Sequence, residues 1–485
     1  MKTRNLFLSL FAFAALCACN KEAQPAAPEV LGEDAYVAVN IRATGTDTKA
    51  TGDYKFGTPK ENAVTNALFL FYDAAGNPAT SATPTLDAWS NNSDGTNVAS
   101  TKTVLVLEHT VIRPTSMLVV LNYDATKLTD YKAASLSNIK AMLSTLSVEV
   151  SSTDYYTMTN SVYADGLNAF CEVALTSDNF QDNPTDALSH SVTAYVERVA
   201  SKIDVDVSSV TCNTTTINID GTEVTLTPTV TGYEITETPD ASYLFKNVDP
   251  ATWNTSWAGW TSSANFRSFW AKMPSTGYNL GYFAHEEITR ATSFADYYYE
   301  NTSGGETTTK LIVAVQLKNG ANEVDFVKYA GLYYSLATFK TMSIAALGTT
   351  EISVDASMLD VVAHNTAASK RYEMHFALND TYTGSDKDAL NTKLASRTAL
   401  YWQKGKSYYH VDIADSSAPE GFKSGVVRNH YYDIDVNSIS GLGVPVPDAK
   451  YDINPEKVDE EEYNVAATVN ILQWRVVEQS VDFNN

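Results

Sequence analysis

Short runs in which apolar and polar residues alternate recur along most of the chain, and they restrict its fold more than any other feature. Val37, Val39 and Ile41 form one such run near the N-terminus, and residues 203–207 form another. A period of two residues is the pattern of a β-strand with one buried face. Two further runs flank Asp220-Gly221, a dipeptide typical of a tight hairpin turn. The sequence therefore predicts many strands connected by turns.

Helical patterns are few, and the clearest cover residues 137–146 and 386–397. Strands that do not alternate regularly with helices favour sandwiches over an α/β fold. We therefore expect a mainly all-β protein with few short helices. A break near residues 195–202 predicts one sandwich before it and a larger one after it.

The first 18 residues have the layout of a signal peptide. Two basic residues precede an apolar run over 6–18, which is too short to span a membrane. Ala18, Cys19 and a polar stretch then follow in the order of a bacterial lipobox. Cys17 is unusual within that motif, and an ordinary signal peptide is the alternative interpretation. We expect lipidation at Cys19, with palmitate among the acyl chains, and an outer-membrane lipoprotein precursor anchored by those chains.

Charge and cysteine content restrict the partners and the compartment. The formal net charge of −23 argues against nucleic acid as a partner, because phosphates would be repelled. Apart from Cys19, an exported chain would keep Cys171 and Cys212. These two could form a disulfide in an oxidising compartment or remain as two separate thiols, and the sequence leaves both possibilities open.

Sequence motifs of catalysis are missing. The seven histidines are scattered without metal-binding spacing, and there is no phosphate-binding loop, dinucleotide-binding motif or nucleophile elbow. His285-Glu286-Glu287 is best interpreted as a solvated loop or strand edge rather than a zinc site. We therefore expect no enzymatic activity, no cofactor and no metal.

Large aromatic residues cluster within residues 253–270, and three tyrosines follow at 297–299. Aromatic faces can stack on sugars, so a monomeric glycan-binding surface lipoprotein is an alternative function. Aromatic residues at such density more often fill a core or hold a long loop in place. The cluster consists of Trp253, Trp257, Trp260, Phe266, Phe269 and Trp270.

The chain ends in a segment that predicts a strand after a linker. Prolines at 445 and 447 and four acidic residues at 459–462 precede it. Its apolar residues change phase twice, which indicates a bulge or two short strands in succession. The residues expected to form the strand are Val465, Ala467, Val469, Ile471, Trp474, Val477, Val481 and Phe483.

The order of these features resembles that of the Mfa-type major fimbrial subunits among the type V fimbrillins. Residues 198–203, R-V-A-S-K-I, are similar to the segment that opens the family's second domain. Residues 428–436, R-N-H-Y-Y-D-I-D-V, are similar to a late strand with the pattern R-N-x-x-Y-x-V. The lipobox, the polar loop with Lys49-Ala50 and the final strand with Trp474 complete the resemblance.

The resemblance implies two tandem transthyretin-like Greek-key β-sandwich domains and a structural subunit of a cell-surface fimbria. It implies that a trypsin-like, arginine-specific protease removes the first strand, and that a neighbour's C-terminal donor strand fills the groove. The fibre would support adhesion and biofilm formation. The implied partners are further copies in a head-to-tail homopolymer, anchor and tip subunits, the protease, and a host or bacterial receptor of unknown identity. An adhesive tip subunit is a further alternative.

The cleavage position departs from the family pattern, because Lys49 stands where the family has arginine. We expect cleavage between Lys49 and Ala50, in a loop that a protease can engage, and Arg42-Ala43 is the alternative. The predicted organisation is a signal peptide at 1–18, a removed tether and strand at 19–49 that includes Val37, Val39 and Ile41, sandwiches at 50–195 and 196–447, and a linker with the donor strand at 448–485.

Overall fold

The computed structural model describes most of the chain between Ala35 and Ser480, and every structural statement below refers to that part. The described residues are 35–43, 61, 63–86, 90–91, 99–107, 112–144, 156–165, 168–247, 272–292, 294–302, 307–348, 353–363, 372–414, 425–453, 463–471 and 479–480.

The first half of the described chain contains twelve strands and three short α-helices. In chain order they are β1 (Ala35–Ala43), β2 (Ala67–Tyr72), β3 (Pro78–Ala82), β4 (Ser90–Asn91), β5 (Ala99–Leu107), β6 (Ser116–Leu121), α1 (Leu128–Ala133), α2 (Leu136–Ala141), β7 (Leu143–Ser144), β8 (Met158–Asn160), β9 (Tyr163–Asp165), β10 (Asn168–Phe170), β11 (Val173–Ala174), α3 (Pro184–Ser189) and β12 (Val192–Arg198).

The second half contains the remaining described strands and two α-helices. They are β13 (Ala200–Asp206), β14 (Thr211–Cys212), β15 (Thr215–Ile219), β16 (Thr222–Thr236), β17 (Thr238–Pro239), β18 (Ser242–Tyr243), β19 (Leu280–Gly281), β20 (Phe294–Tyr299), β21 (Lys310–Asn319), β22 (Asn322–Glu323), β23 (Phe326–Tyr329), β24 (Leu332–Ser335), α4 (Leu336–Ala345), β25 (Leu359–Ala363), β26 (Glu373–Leu378), α5 (Lys387–Ala395), β27 (Ala399–Trp402), β28 (Lys406–Asp412), β29 (Tyr431–Gly441), β30 (Val444–Pro445), β31 (Tyr463–Ile471) and β32 (Gln479–Ser480).

The first half is built on one sheet of nine described strands. Its order is β3-β2-β6-β8-β12-β1-β5-β4, and β11 pairs with β6. Alternate residues of these strands share one buried cluster, which includes Phe69, Leu105, Val119 and Val196. This alternation is the period of two residues in the sequence, because successive strand residues point to opposite faces of a sheet.

The other face of β2 and β6 is also buried, which explains why these strands are apolar at almost every position. Leu68 and Val120 belong to a second cluster, to which α1 and α2 contribute Tyr131 and Ile139. Leu244, from the second half, belongs to the same cluster. The two halves therefore share part of one core.

The second half places two sheets around its main core. One sheet has the order β20-β13-β29-β31-β32, and the larger has the order β25-β26-β27-β23-β24-β15-β16-β21-β28-β30. Ile203 and Ile434 from the first sheet share the core with Val313, Trp402 and Tyr409 from the second. β21 is buried on both faces, because its intervening residues contribute to a further apolar cluster. A strand covered on both faces requires a continuous apolar run rather than an alternating one.

The helices of the second half lie over the extension of the large sheet. Phe339 of α4 and Leu390 of α5 share a core with Val327, Phe376 and Tyr401. No helix in the described part of the chain is long and apolar enough to cross a membrane.

The mainly-β prediction is confirmed, and so is the hairpin at Asp220-Gly221. β15 and β16 pair directly across this turn, where φ is 51° at Asp220 and 86° at Gly221. Two successive positive φ angles are what an Asp-Gly turn of this type provides. The domain boundary stays a prediction, although the sheet assignment changes at Val199, between β12 and β13.

Three expectations differ from the structure in detail. The helix predicted at 137–146 ends at Ala141, and the chain continues into β7, which pairs with β18. The helix α4 was not predicted from the sequence. The segment from Val444 is not a free linker at first, because β30 pairs with β28 and Ile453 is buried.

The expectation of a solvated position was wrong for His285, whereas Glu286 and Glu287 are exposed. His285 is only 6% exposed, and its Nε2 lies 3.1 Å from the carbonyl oxygen of Ser407. The run of His285, Glu286 and Glu287 is polar in sequence, but the short 3-10 helix turns the imidazole inward. Cys171 and Cys212 are both free thiols, and burial raises the pKa of Cys171 to about 12.

Candidate functional site

The first strand, β1, is hydrogen-bonded along both of its edges. It runs antiparallel to β5 and parallel to β12. The N-terminal end of β1 is bonded to a different segment. The Tyr36 amide donates to the carbonyl of Gln181 at 2.7 Å, and the Gln181 amide donates to the carbonyl of Tyr36 at 3.1 Å. Removal of β1 would therefore leave two rows of unpaired backbone groups facing each other.

Both faces of β1 are covered as well between Val37 and Asn40. Val37 and Val39 have no exposed surface and belong to the core of the first half. On the opposite face Ala38 is fully buried and Asn40 is 7% exposed. The helix α3 lies against β1 and buries Ala187. The space occupied by β1 is thus an enclosed groove with an apolar floor.

The predicted maturation sites lie at or beyond the end of this strand. Arg42 is paired on both sides within β1, with Ser100 and Tyr195. Ile41 is also paired on both sides, and Ala43 pairs with Val196 of β12. Lys49, Ala50 and the lipidation site Cys19 lie outside the described residues.

The C-terminal strand β31 pairs with its own chain. It runs antiparallel to β29 from Tyr463 to Ile471. On its other edge it pairs with β32 at only two positions, Thr468 and Val469. β31 therefore has one ladder along its whole length, whereas β1 has a ladder with β5 and a shorter second ladder with β12 over Val39–Ala43.

The register of β31 sets its predicted apolar residues opposite core residues of β29. Val469 pairs with Ile434, and Ile471 pairs with Tyr432; both partners are fully buried. A bulge between Val436 and Ser438 inserts one residue into β29. Because of this bulge, the predicted apolar residues of β31 stay opposite core residues of β29 along the whole strand.

Trp474, Val477, Val481 and Phe483 lie outside the described residues. β32 follows β31 and pairs back on it at Thr468 and Val469, and the residues at which the phase changes lie outside the described residues. The aromatic cluster at 253–270 also lies outside the described residues.

One relation between the two strands was missed at the level of sequence. Residues 39–41 of β1 and 469–471 of β31 are both Val-Asn-Ile. Alignment of the two nine-residue strands on this tripeptide puts Thr468 at the place of Ala38 and Ala467 at the place of Val37. A comparison of the chain's own strands with one another would have found this signal.

The segment that begins at Arg428 starts with a buried side chain. The Arg428 guanidinium is completely buried and forms an ion pair with Glu300, with Nε 2.9 Å from Oε1. It also donates to the carbonyl of Leu244 at 3.2 Å and to the hydroxyl of Ser242 at 3.0 Å. No group of three metal-ligating side chains occurs among the described residues.

Part of the chain matches a protein family. Residues 400–480 match the family described as "Major fimbrial subunit protein type IV, Fimbrillin, C-terminal". This region contains β29 and β31. The match confirms the resemblance to fimbrillins. No curated protein matches the chain.

Comparison with solved structures gives low similarity over most of the chain. A candidate cell adhesion protein from Parabacteroides distasonis has 13% identity and a TM-score of 0.43, with 90% of this chain and 96% of that chain covered. The tip fimbrial protein Mfa3 from Porphyromonas gingivalis has 12% identity and a TM-score of 0.36, with coverage of 90% and 100%. A fimbrial assembly protein from Parabacteroides distasonis has 12% identity and a TM-score of 0.38, with coverage of 92% and 100%.

Proposed function

We propose that this chain, whose residues 400–480 match the fimbrillin C-terminal family, is a structural subunit of a bacterial surface fimbria. Proteolysis removes β1, and the C-terminal strand of a neighbouring copy fills the groove. The chain is exported as a lipoprotein with its lipid on Cys19, upstream of the cut. The polymer supports adhesion and biofilm formation, and the role is structural rather than catalytic.

The observation that carries this proposal is the enclosure of β1. A strand with both edges paired and both faces buried cannot leave a folded sandwich without creating an apolar groove lined by unpaired backbone groups. An extended strand from another molecule repairs both defects by β-augmentation. The groove is therefore a specific receptor for a strand, and it exists only after β1 has gone.

Burial of apolar side chains favours such an assembly. Burial of about four aliphatic side chains at roughly 1.5–3 kcal/mol each contributes roughly 6–12 kcal/mol before entropic costs. β31 has one complete ladder in its own sheet. In the groove of a neighbouring copy it would pair on both edges, with β5 and with β12. This additional pairing favours insertion of β31 once β1 is absent.

The geometry of such a contact favours a filament. The donor strand and the accepting groove are different surfaces of the chain, so each bound copy presents a new donor or a new groove. A heterologous contact of this kind propagates when its rotation does not close a ring. Anchor and tip subunits would then end the polymer at its two ends.

The test is electron microscopy of the purified chain before and after limited trypsin treatment. We expect single particles before treatment, fibres or ladders afterwards, and a product whose N-terminal residue is Ala50. A product that begins at Ala43 would move the cleavage to Arg42 and leave the mechanism intact. Fully cleaved, folded protein that stays monomeric would contradict the proposal.

Two variants extend the test to each end of the chain. Deletion of residues 464–485 is expected to abolish fibres after cleavage, and circular dichroism establishes whether the truncated chain is folded. Cys19→Ala is expected to abolish incorporation of a labelled fatty acid in cells. Continued labelling of that variant would contradict the lipobox assignment alone.

A further inference from the structure

Glu61 follows the cleavable segment in the chain and is fixed at the junction between the two halves. It is 2% exposed. Its Oε1 accepts hydrogen bonds from Lys202 Nζ at 2.8 Å and from the Tyr297 hydroxyl at 2.6 Å. Lys202 belongs to β13 and Tyr297 belongs to β20, so both donors come from the second half.

The backbone of Glu61 is held from the first half. Arg198 Nε, at the end of β12, donates to the carbonyl oxygen of Glu61 at 3.0 Å. The same guanidinium donates through Nη1 to Asn429 Oδ1 at 3.2 Å. The second half therefore binds the side chain of Glu61, and the first half binds its backbone carbonyl.

Aromatic rings complete the surroundings of this contact. The ring of Tyr156 lies 4.6 Å from that of Tyr297, between ring centroids. Lys202 Nζ lies 5.0 Å from the centroid of Tyr431 and 5.7 Å from that of Tyr297. The ammonium group thus has a carboxylate partner and two ring faces, an arrangement that holds a half-buried cation in one position.

Glu61 directly follows the segment in which cleavage is proposed. Residues 44–60 connect β1 to Glu61 and contain three lysines, Lys49, Lys55 and Lys60. The sequence specificity of a trypsin-like protease permits cleavage after each of these lysines. The protease must also bind several residues on both sides of the bond in an extended form. Glu61 immediately follows Lys60, so the grip on Glu61 opposes cleavage there.

We propose that Glu61 is a clasp that restricts maturation cleavage to the N-terminal part of this segment and keeps the new N-terminus attached to the body of the protein. The proposal rests on the proposed cleavage of β1. A cut at Lys49 then frees β1 alone, while Glu61 holds the retained end against both halves. A cut at Lys60 would remove the covalent connection through which Glu61 retains residues 50–60.

The test compares limited trypsin digestion of the wild-type chain with that of Glu61→Gln, Lys202→Met and Tyr297→Phe. Mass spectrometry of the product N-termini measures cleavage after each lysine. We expect wild-type product to begin at Ala50. Cleavage after Lys60 is expected to rise about tenfold in Glu61→Gln and Lys202→Met, because proteolysis follows the population of the locally open state. Tyr297→Phe removes the hydroxyl contact to Glu61 and leaves the ion pair with Lys202, so it is expected to give a smaller rise.

The matched control is Glu172→Gln, which breaks the half-exposed ion pair between Glu172 and Lys140 at 2.7 Å. We expect its cleavage pattern to equal that of the wild type. Unchanged cleavage after Lys60 in folded Glu61→Gln and Lys202→Met would overturn the clasp.

Hydrogen exchange separates failure of the clasp from failure of the proposed maturation. The amides of the peptide that contains Glu61 are expected to lose protection in Glu61→Gln and to keep it in Glu172→Gln. If trypsin cuts after neither Lys49 nor Arg42 in any variant, the maturation proposal fails while the exchange difference still supports the clasp. Equal exchange in both variants would overturn the clasp whatever the cleavage pattern.

Discussion

His285 illustrates how burial changes the chemistry of a single side chain. Its Nε2 donates to the carbonyl of Ser407, and the surrounding protein excludes solvent. Burial lowers the pKa of His285 from 6.5 to about 4, and the nearby positive charge of Lys406 acts in the same direction. The folded protein therefore holds His285 in its neutral form at neutral pH.

This pKa predicts a contribution of His285 to the pH dependence of stability. Between pH 6.5 and about 4 the unfolded chain binds a proton that the folded chain does not. Stability is thus lost as the pH falls through this window, by up to about 3 kcal/mol. The measurement is urea denaturation of the wild type and of His285→Gln from pH 7 to pH 4.

Subtraction of the two series isolates this histidine from the carboxylates that titrate in the same range. We expect the wild type to lose more stability than His285→Gln as the pH falls. Parallel curves would show that His285 does not titrate differently in the folded and unfolded states.

At the scale of elements, the alignment of β31 with β1 predicts which donor positions tolerate charge. From the phase of the strand alone, Thr468 lies on the polar face and a charge there should matter little. The burial of Ala38 changes that expectation, because Thr468 would take its place. Ala466 would take the place of Tyr36, which is half-buried.

Synthetic peptides test this prediction without altering the fold of the subunit. A peptide of residues 463–471 is expected to fill the groove of trypsin-treated protein and block fibre growth. Val469→Asp and Thr468→Asp peptides should fail, because an unpaired charge is costly to bury. Ala466→Asp should retain most of the inhibition and serves as the matched control.

Fibre length by electron microscopy and peptide affinity by fluorescence anisotropy provide the two measurements. Inhibition by the Val469→Asp peptide equal to that of the unmodified peptide would contradict insertion of this segment. Inhibition by Thr468→Asp with failure of Ala466→Asp would contradict the alignment on Val-Asn-Ile and leave the insertion itself standing.

At the scale of the whole molecule, Arg428 connects the two halves. It holds the segment at Ser242 and Leu244 through hydrogen bonds, and Leu244 lies in a core of the first half. Thr159 of the first half donates to the carbonyl of Leu244 at 2.9 Å. The buried ion pair between Arg428 and Glu300 therefore stabilises the contact between the two halves at Leu244.

Arg428→Met is expected to reduce the free energy of unfolding by about 3–5 kcal/mol, because Glu300 keeps a buried charge without its partner. Lys387→Met is the control, since its ion pair with Asp380 is on the surface and contributes about 0–1 kcal/mol. Chemical denaturation measures both. We also expect Arg428→Met to separate the unfolding of the halves into two transitions. A single transition with a loss below about 1 kcal/mol would contradict this role.

Local sequence determined much of the secondary structure. The alternation at Val37 and Val39 predicts a strand with one face in a core, and Asp220-Gly221 predicts a hairpin, because both depend on the backbone and side-chain directions of a few neighbouring residues. The resemblance of the segment that begins at Arg428 also lies within residues 400–480, which match the fimbrillin C-terminal family.

Only the tertiary structure decided which strands pair and which polar residues are buried. β1 lies between β5 and β12, although β12 is about 150 residues away in sequence, and no local pattern specifies that partner. Glu61 and Arg428 are charged in sequence and nearly inaccessible in the fold. Their burial is possible because distant donors and acceptors meet them, and the free energy of those contacts arises only when the whole chain has folded.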